Sequence, residues 1–212
     1  MDEKDGSSAH WQGVYLAKGA AEVSWFQPSP EPSLRLIAKT GLTNGAAVLD
    51  AGGGASTLVD HLFDEGFRLS VLDIADSALD VARSRLGPRA AEVTWIVADI
   101  TEWRPTGQFD LWHDRAVFHF LTKPEQRARY LAALKAGLAP SGWLVMATFA
   151  PGGPDRCSGL PVCRWSAPEL AAELGDDFRL VESVEERHLT PSGVQQAFTW
   201  TLFRRAKRRA RA

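Results

Sequence analysis

The sequence predicts an α/β domain, doubly wound, on a mostly parallel seven-stranded sheet with a C-terminal antiparallel hairpin. Three observations carry this. From residue 46 onward, short apolar runs alternate with helical patterns, the signature of crossover units and a parallel sheet. A glycine-rich turn, Asp50-Ala51-Gly52-Gly53-Gly54, leads out of the first of those runs into a helical stripe. The last two strand-like stretches, 178–188 and 196–203, are joined by Thr190-Pro191-Ser192-Gly193, a hairpin turn that makes at least one strand antiparallel.

The other strand candidates are 46–50, 68–73, 93–97, 109–113 and 142–149, most of them apolar and bounded by turn or polar residues, as in a sheet covered on both faces. Between them, Leu58, Val59, Leu62 and Phe63 form a helical stripe. Asp76 is placed to cap a helix carrying Leu79, Ala82 and Leu86, which Gly87-Pro88 stops. A capping box, Thr122-Lys123-Pro124-Glu125, predicts the start of the helix bearing Tyr130, Leu131, Leu134 and Leu138. Pro140-Ser141-Gly142 reads as a turn, and a short helix is expected near 167–174 after a proline- and glycine-rich loop.

A length of 212 residues suits one domain over 1–212, with 1–33 as an amino-terminal aromatic cover segment and 205–212 as a basic tail. With 45% hydrophobic and 24% charged residues the chain should bury a core, which argues against disorder. The acidic start, Met1-Asp2-Glu3-Lys4-Asp5, is the opposite of a signal or transit peptide, and the apolar runs are far below a membrane span, so a cytoplasmic protein without a membrane partner is expected. The spacing of Cys157 and Cys163, with no nearby histidine, does not match a zinc site, and no metal is expected; two free thiols are. The tail reads as a solvated terminus or as a phosphate contact; no aromatic residues interleave with its charges, and sequence-specific nucleic-acid binding is not expected.

The spacing points to a ligand at the carboxyl edge of the sheet. Glycines let the backbone approach a bound molecule, and the following helix presents free N–H groups. Asp73 ends the next strand 23 residues after Asp50, where an acidic side chain can bind a ribose diol, and Asp99 ends the third strand region. A purely architectural reading makes Gly52 to Gly54 a tight turn, Asp73 a turn residue and Asp99 a helix cap. A dinucleotide fingerprint wants a final Gly or Ala, yet counting from Gly52 that position is Thr57, and Asp50 sits poorly beside a pyrophosphate. S-adenosylmethionine has no phosphate and carries an ammonium group, which a carboxylate suits.

Through Asp50-Ala51-Gly52-Gly53-Gly54-Ala55-Ser56, Leu72-Asp73-Ile74 and Val97-Ala98-Asp99-Ile100 the sequence resembles the class I S-adenosylmethionine-dependent methyltransferases, over roughly residues 10 to 204. The resemblance implies a Rossmann-like fold, S-adenosylmethionine as cofactor and S-adenosylhomocysteine as its product. It further implies that the glycine turn (Gly52, Gly54, with Asp50 and Ser56) meets the methionine part. Asp73 is then at the ribose, with Ile74, Asp99 and Ile100 by the adenine. Ser56 departs from the family, many members having a third turn glycine there.

The stretches around Trp11, Tyr15 and Trp25 look like the aromatic cover that small-molecule members place over the cofactor; ordinary docking onto the core is the alternative for Trp11. After the fourth strand, Trp112-His113-Asp114-Arg115-Ala116 is similar to the Asp-Arg-Gly stretch of thiopurine S-methyltransferases, which implies Asp114 and Arg115, with His113, on the acceptor side. Alternatively Asp114 and Arg115 form a surface ion pair and His119 lies on a half-buried helix face. Cys157 and Cys163 lie in the loop after the fifth strand, where members build acceptor pockets, or are incidental thiols. Base-methylase motifs are lacking. A small-molecule acceptor with a sulfur, selenium, oxygen or nitrogen nucleophile is therefore expected; a protein lysine methyltransferase, or a nicotinamide-binding or non-catalytic domain, are the alternatives.

Overall fold

In a computed structural model, which describes residues 8–17 and 22–207, helices α1 (Ser8–Ala17) and α2 (Glu31–Ala38) precede the sheet domain. Then follow β1 (Ala47–Ala51), α3 (Leu58–Asp64), β2 (Arg68–Asp73), α4 (Asp76–Leu86), β3 (Thr94–Val97), β4 (Phe109–Arg115), α5 (Pro124–Gly137) and β5 (Leu138–Phe149). A small ribbon, β6 (Arg156–Cys157) with β7 (Leu160–Pro161), leads through α6 (Ala167–Leu174) to the hairpin of β8 (Phe178–Leu189) and β9 (Gln195–Arg205). The strands of the main sheet run β3-β2-β1-β4-β5-β9-β8, with β3 to β5 parallel and β9 antiparallel to both its neighbours. This is the expected doubly wound architecture.

Strand alternation builds a core on each face of this sheet. Val48 and Leu111 face a layer with Leu36, Leu58, Val145 and Trp200, whereas Leu49 and Trp112 face one with Tyr130, Leu134 and Phe203. The order reverses between β1 and β4, one leading to β2 and the other to β5, and a crevice opens at their carboxyl ends. It holds the candidate site.

Several boundaries differ from expectation. Asp76 is the first residue of α4 rather than its cap; the cap is Ala75, whose N–H donates to Asp73 Oδ1 (2.9 Å), and Asp76 pairs with Arg83. The box at α5 sits one residue later, Gln126 Oε1 accepting from the Lys123 N–H at 3.1 Å. Strand β5 begins four residues before the expected 142, because Leu138 already pairs with Phe109 and a register shift before Leu111 accommodates Ser141 at φ 61. The basic tail begins inside β9: Arg204 stacks on Trp143 and Arg205 donates to the Leu138 carbonyl, while 208–212 lie outside the described residues.

On the α5 face, Asp114 is fully buried and accepts from the N–H of Val117 (2.9 Å), the N–H of Phe118 (3.4 Å) and the hydroxyl of Tyr130 (2.5 Å), which in turn accepts from Trp112 Nε1 (3.0 Å). Tyr130→Phe strips one donor from a buried carboxylate and the acceptor from a buried indole. It should cost about 2–3 kcal/mol, lowering the thermal midpoint by about 4–12 °C. A variant melting with wild type would show that this network does not support the fold.

Candidate functional site

A cavity of about 400 Å³ lies over the carboxyl ends of the strands, and its wall divides into two ends and a roof. Leu72, Asp73, Ile74, Asp99 and Ile100 form one end, from β2 and β3 and the turns that follow them. Arg115, His119, Phe149, Cys157, Gln196 and Phe198 form the other, from β4, β5, β6 and β9. Trp11 and Tyr15 of α1, one helical turn apart, join Trp25 as the roof; Trp25 Nε1 donates to the Tyr15 hydroxyl at 3.3 Å, and Trp11 packs edge-on to Trp25 and Phe120. Helix α1 is fastened there by Ser8 Oγ on the Ile74 carbonyl (2.9 Å) and by Gln12 Oε1 on the N–H of Ser77 (3.2 Å), in the first turn of α4.

The glycine turn is shaped from both sides. Gly52, at φ 70, leaves no room for a Cβ, which would stand 2.0 Å from Val117 Cγ2, and its N–H donates to the Leu72 carbonyl. A Cβ on Gly54, at φ 43, would press to 2.9 Å on both Asp73 Oδ2 and the Tyr15 hydroxyl. Gly54 thus packs under these two groups, whereas Gly52 lines the cavity. Ser56 has no positive φ, so its position does not require the glycine that many family members have; its Oγ accepts from the N–H of Leu58 at the start of α3. A narrower recess of about 50 Å³ adjoins the turn, bounded among others by Asp50, Gly53, Ser56, His113 and Arg115.

Three carboxylates serve the glycine side. Asp50 Oδ1 accepts from His113 Nδ1 (2.7 Å), whose Nε2 meets Ser33 Oγ of α2 (2.9 Å), and its Oδ2 is buried without a partner among the described residues. Burial pushes Asp73 up to about 6, against the pull of its bond from Ala75. Asp99 Oδ1 accepts from the N–H and hydroxyl of Thr101, both at 2.8 Å. These residues are chemically compatible with an adenosyl amino acid: Asp73 and Asp50 offer carboxylate oxygens, Ile74 and Ile100 apolar surface, and the turn a backbone free of side chains.

At the end of β4 consecutive side chains take opposite faces, and this corrects two expectations. Asp114 points into the α5 layer with both oxygens accepting hydrogen bonds, so it is a structural carboxylate and not a contact for the methyl acceptor. Burial outweighs those bonds and pushes it up to about 6. His113 points to α2 and bounds the recess, on the Asp50 side. Arg115 does reach the cavity, and no ion pair joins it to Asp114. Its Nη1 donates to the Trp25 carbonyl (2.7 Å), and its guanidinium lies 5.2 Å over the Phe198 ring. Its Nε and Nη2 are buried without partners among the described residues, and burial lowers its pKa to about 10.

A methyltransferase domain family matches residues 48–142, the span from β1 to the start of β5. The chain is 31% identical over 183 residues to thiocyanate methyltransferase 1 of Arabidopsis thaliana, covering 83% of this chain and 78% of that protein. The chain belongs to the class I S-adenosylmethionine-dependent methyltransferases. Solved structures share its fold. The Burkholderia thailandensis 1,6-didemethyltoxoflavin N1-methyltransferase, solved with its namesake compound and S-adenosylhomocysteine, superposes with a TM-score of 0.68 at 24% identity, covering 94% of this chain and 85% of that one. The structure described for conversion of a disulfide into a thioacetal in echinomycin biosynthesis gives 0.75 at 22% identity, covering 95% and 94%.

In this methyltransferase several wall residues carry no motif in the sequence. His119, for which a half-buried helix face was one alternative, is fully buried on a short 3₁₀ turn and lines the cavity. Phe149, Gln196 and Phe198 come from strand ends whose apolar pattern reads as core. Cys157 is buried in the wall, burial pushing its thiol up to about 11; Cys163 is half-exposed outside it, and both are free. No group of three or more metal-ligating side chains occurs, and no helix is long and apolar enough to cross a membrane, among the described residues.

Asp73 also sets a stability effect with a definite sign. Its folded pKa, near 6, lies above the unfolded value of about 3.9, so the folded state keeps a proton that the unfolded chain has lost, and stability drains away as pH rises through about 4 to 6. Asp73→Asn should therefore melt above wild type at pH 7.5 without ligand, with the difference shrinking toward pH 4. A variant no more stable at pH 7.5 would show that this carboxylate carries no burial penalty.

Proposed function

We propose that this methyltransferase transfers the methyl group to a small-molecule acceptor bound in the Arg115 end of the cavity, with the cofactor lying from the recess beside Gly52 to Asp99. The observation that carries the reading is one cavity that runs from Asp73 and Asp99 to the cationic, aromatic end at Arg115 and Phe198, with the recess at Asp50 adjoining it through the shared walls of Gly52 and Arg115. S-adenosylmethionine, when bound, supplies a methyl group on a sulfonium sulfur.

The chain's own groups then have distinct tasks. Asp73 accepts from the ribose hydroxyls, Ile74 and Ile100 flank the adenine, and Asp99 lies at its edge. Asp50, aligned by His113 and Ser33, turns its unpartnered oxygen to the amino group of the methionine part. Tyr15, Trp11 and Trp25 close the roof, exclude water and offer aromatic faces and edges to a cationic centre. The methyl donor and acceptor held in one closed space convert a two-body encounter into an in-line displacement, which is where such an enzyme gains most of its rate. An ammonium acceptor such as a lysine side chain would meet Arg115 at close quarters, a repulsion that favours small neutral or anionic acceptors over protein lysine. The name of the Arabidopsis relative, with an anion as acceptor, accords with this.

Thermal melting tests the cofactor. S-adenosylmethionine or S-adenosylhomocysteine at about 100 times its dissociation constant should raise the midpoint by about 5–10 °C, and NAD should not. A rise with NAD, or with nothing, would overturn the reading. Asp73→Ala should lower affinity for S-adenosylhomocysteine by about 1.5–3 kcal/mol in isothermal titration, the scale of charge-assisted hydrogen bonds; unchanged affinity in the folded variant would remove Asp73 from the ribose.

A further inference from the structure

Two residues at the Arg115 end of the cavity, Arg115 and His119, carry buried donors without acceptors among the described residues, beside the Gln196 amide and the Cys157 thiol. Phe149, on β5, donates its backbone N–H to His119 Nδ1 at 3.2 Å, and a backbone N–H can only donate, so Nδ1 carries the lone pair. Burial, and then the charge of Arg115, drive the His119 pKa down to about 3. The neutral ring therefore carries its proton on Nε2, which is buried without a partner among the described residues. Arg115 adds Nε–H and Nη2–H, equally unpartnered. Three buried N–H groups thus lack acceptors on two residues that line the cavity together with Phe149 and Phe198. A buried N–H left unpaired is costly, and a matching ligand recovers that cost.

Groups that could take a proton are occupied, hold their own proton, or stand in the recess or at the far end rather than in this end of the cavity. The charged and titratable side chains around Arg115 are Glu186 and His188 on β8, Asp50 on β1 and Cys157 on β6. Glu186 is held by Trp200 Nε1 (2.6 Å) and Gln27 Nε2 (3.1 Å) and is not in the cavity wall; the free oxygen of Asp50 is in the recess by the glycine turn. His188 meets the Ser24 carbonyl through Nε2 at 2.8 Å. Cys157, pushed up to about 11, holds its own proton, and Asp73 and Asp99 lie at the opposite end.

We propose that the acceptor enters as a preformed anion, gripped by Nε–H and Nη2–H of Arg115 and Nε2–H of His119, and that the protein contributes no base. This rests on the reading of the cavity as the methyl-transfer site. The balance closes without a proton: a lone pair of the anion forms the new bond to the methyl carbon, and the carbon–sulfonium bond breaks with its electron pair remaining on sulfur. One anion and one cation become a methylated acceptor and a neutral thioether. Soft nucleophiles that are ionised near neutral pH fit this demand, above all thiolates, hydrosulfide and pseudohalide ions. Alcohols and ammonium ions, which must first lose a proton, do not.

The test uses two acceptors, thiophenol and 4-nitrothiophenol, whose thiol pKa values differ. With saturating cofactor, the acid limb of kcat/KM against pH should move with the thiol, to lower pH for the nitro compound; a limb fixed at one pH for both would reveal a protein base and overturn the proposal. Arg115→Met should lower kcat/KM about 10- to 100-fold, and Arg115→Lys should restore part of it, since it keeps the charge but loses the fork. An Arg115→Met variant as active as wild type would also overturn it. If neither thiol is methylated, calorimetric binding of thiocyanate to the protein saturated with S-adenosylhomocysteine decides. Binding that Arg115→Met abolishes supports the anion site, and no binding refutes it. A thermal shift with S-adenosylhomocysteine alongside a failed anion test would leave the methyltransferase reading standing; the loss of both would sink the two together.

Discussion

The buried carboxylate of Asp114 takes two backbone N–H groups from the segment that follows β4 and a hydroxyl from α5, and the working end of the cavity is hung on these bonds. They turn the chain sharply through Ala116, at φ 72, a conformation costly for any residue with a Cβ. The same turn drives Val117 against Gly52, where a Cβ would stand only 2.0 Å from Val117 Cγ2, so the glycine turn and the β4 loop are dimensioned as one interlocked piece. Arg115 and His119, on either side of that turn, inherit their positions from it.

The cavity sorts charge along its length. Carboxylates at Asp50, Asp73 and Asp99 cluster around the glycine turn and the ends of β2 and β3, while the guanidinium stands among aromatic rings at the ends of β4, β5 and β9. In a low-dielectric enclosure such fixed charges act over the whole space with little screening. Burial makes both kinds of group strained in the thermodynamic sense: Asp73 resists ionising and Arg115 holds its proton less tightly than in water. Sites that bind charged ligands accept such penalties because the ligand relieves them.

The seven strands of the main sheet were legible in the sequence because apolar runs bounded by turn residues leave little choice of element, and the 190–193 turn marked the hairpin. The limits of β5 and the cap of α4 were not, since Leu138 continues from helix into strand without punctuation and α4 begins one residue early, its cap being Ala75, with no side-chain cap and with Asp76 paired to Arg83. The glycine turn and Asp73 could be placed at the cavity because they follow strand ends at a readable spacing. For His113, Asp114 and Arg115 the sequence indicated the strand end but not which face each side chain takes, and only Arg115 reaches the cavity proper. His119, Phe149 and Phe198 left no signal, being apolar or isolated residues that meet only when β4, β5 and β9 are brought side by side. His113 as a support for Asp50, through Ser33 of α2, needs three elements distant in the chain.

The unpaired guanidinium also bears on turnover. An acceptor that arrives as an anion and leaves methylated has lost the charge that Arg115 held, so the fork that favours the reactant does nothing to retain the product. Methylation converts the ligand into one for which the same pocket is a poor home, and the displaced sulfur has lost its own positive charge in the same step. A site built this way would discharge its products without a separate ejection device, and its throughput would be governed by how fast water and the next anion reclaim the three N–H groups.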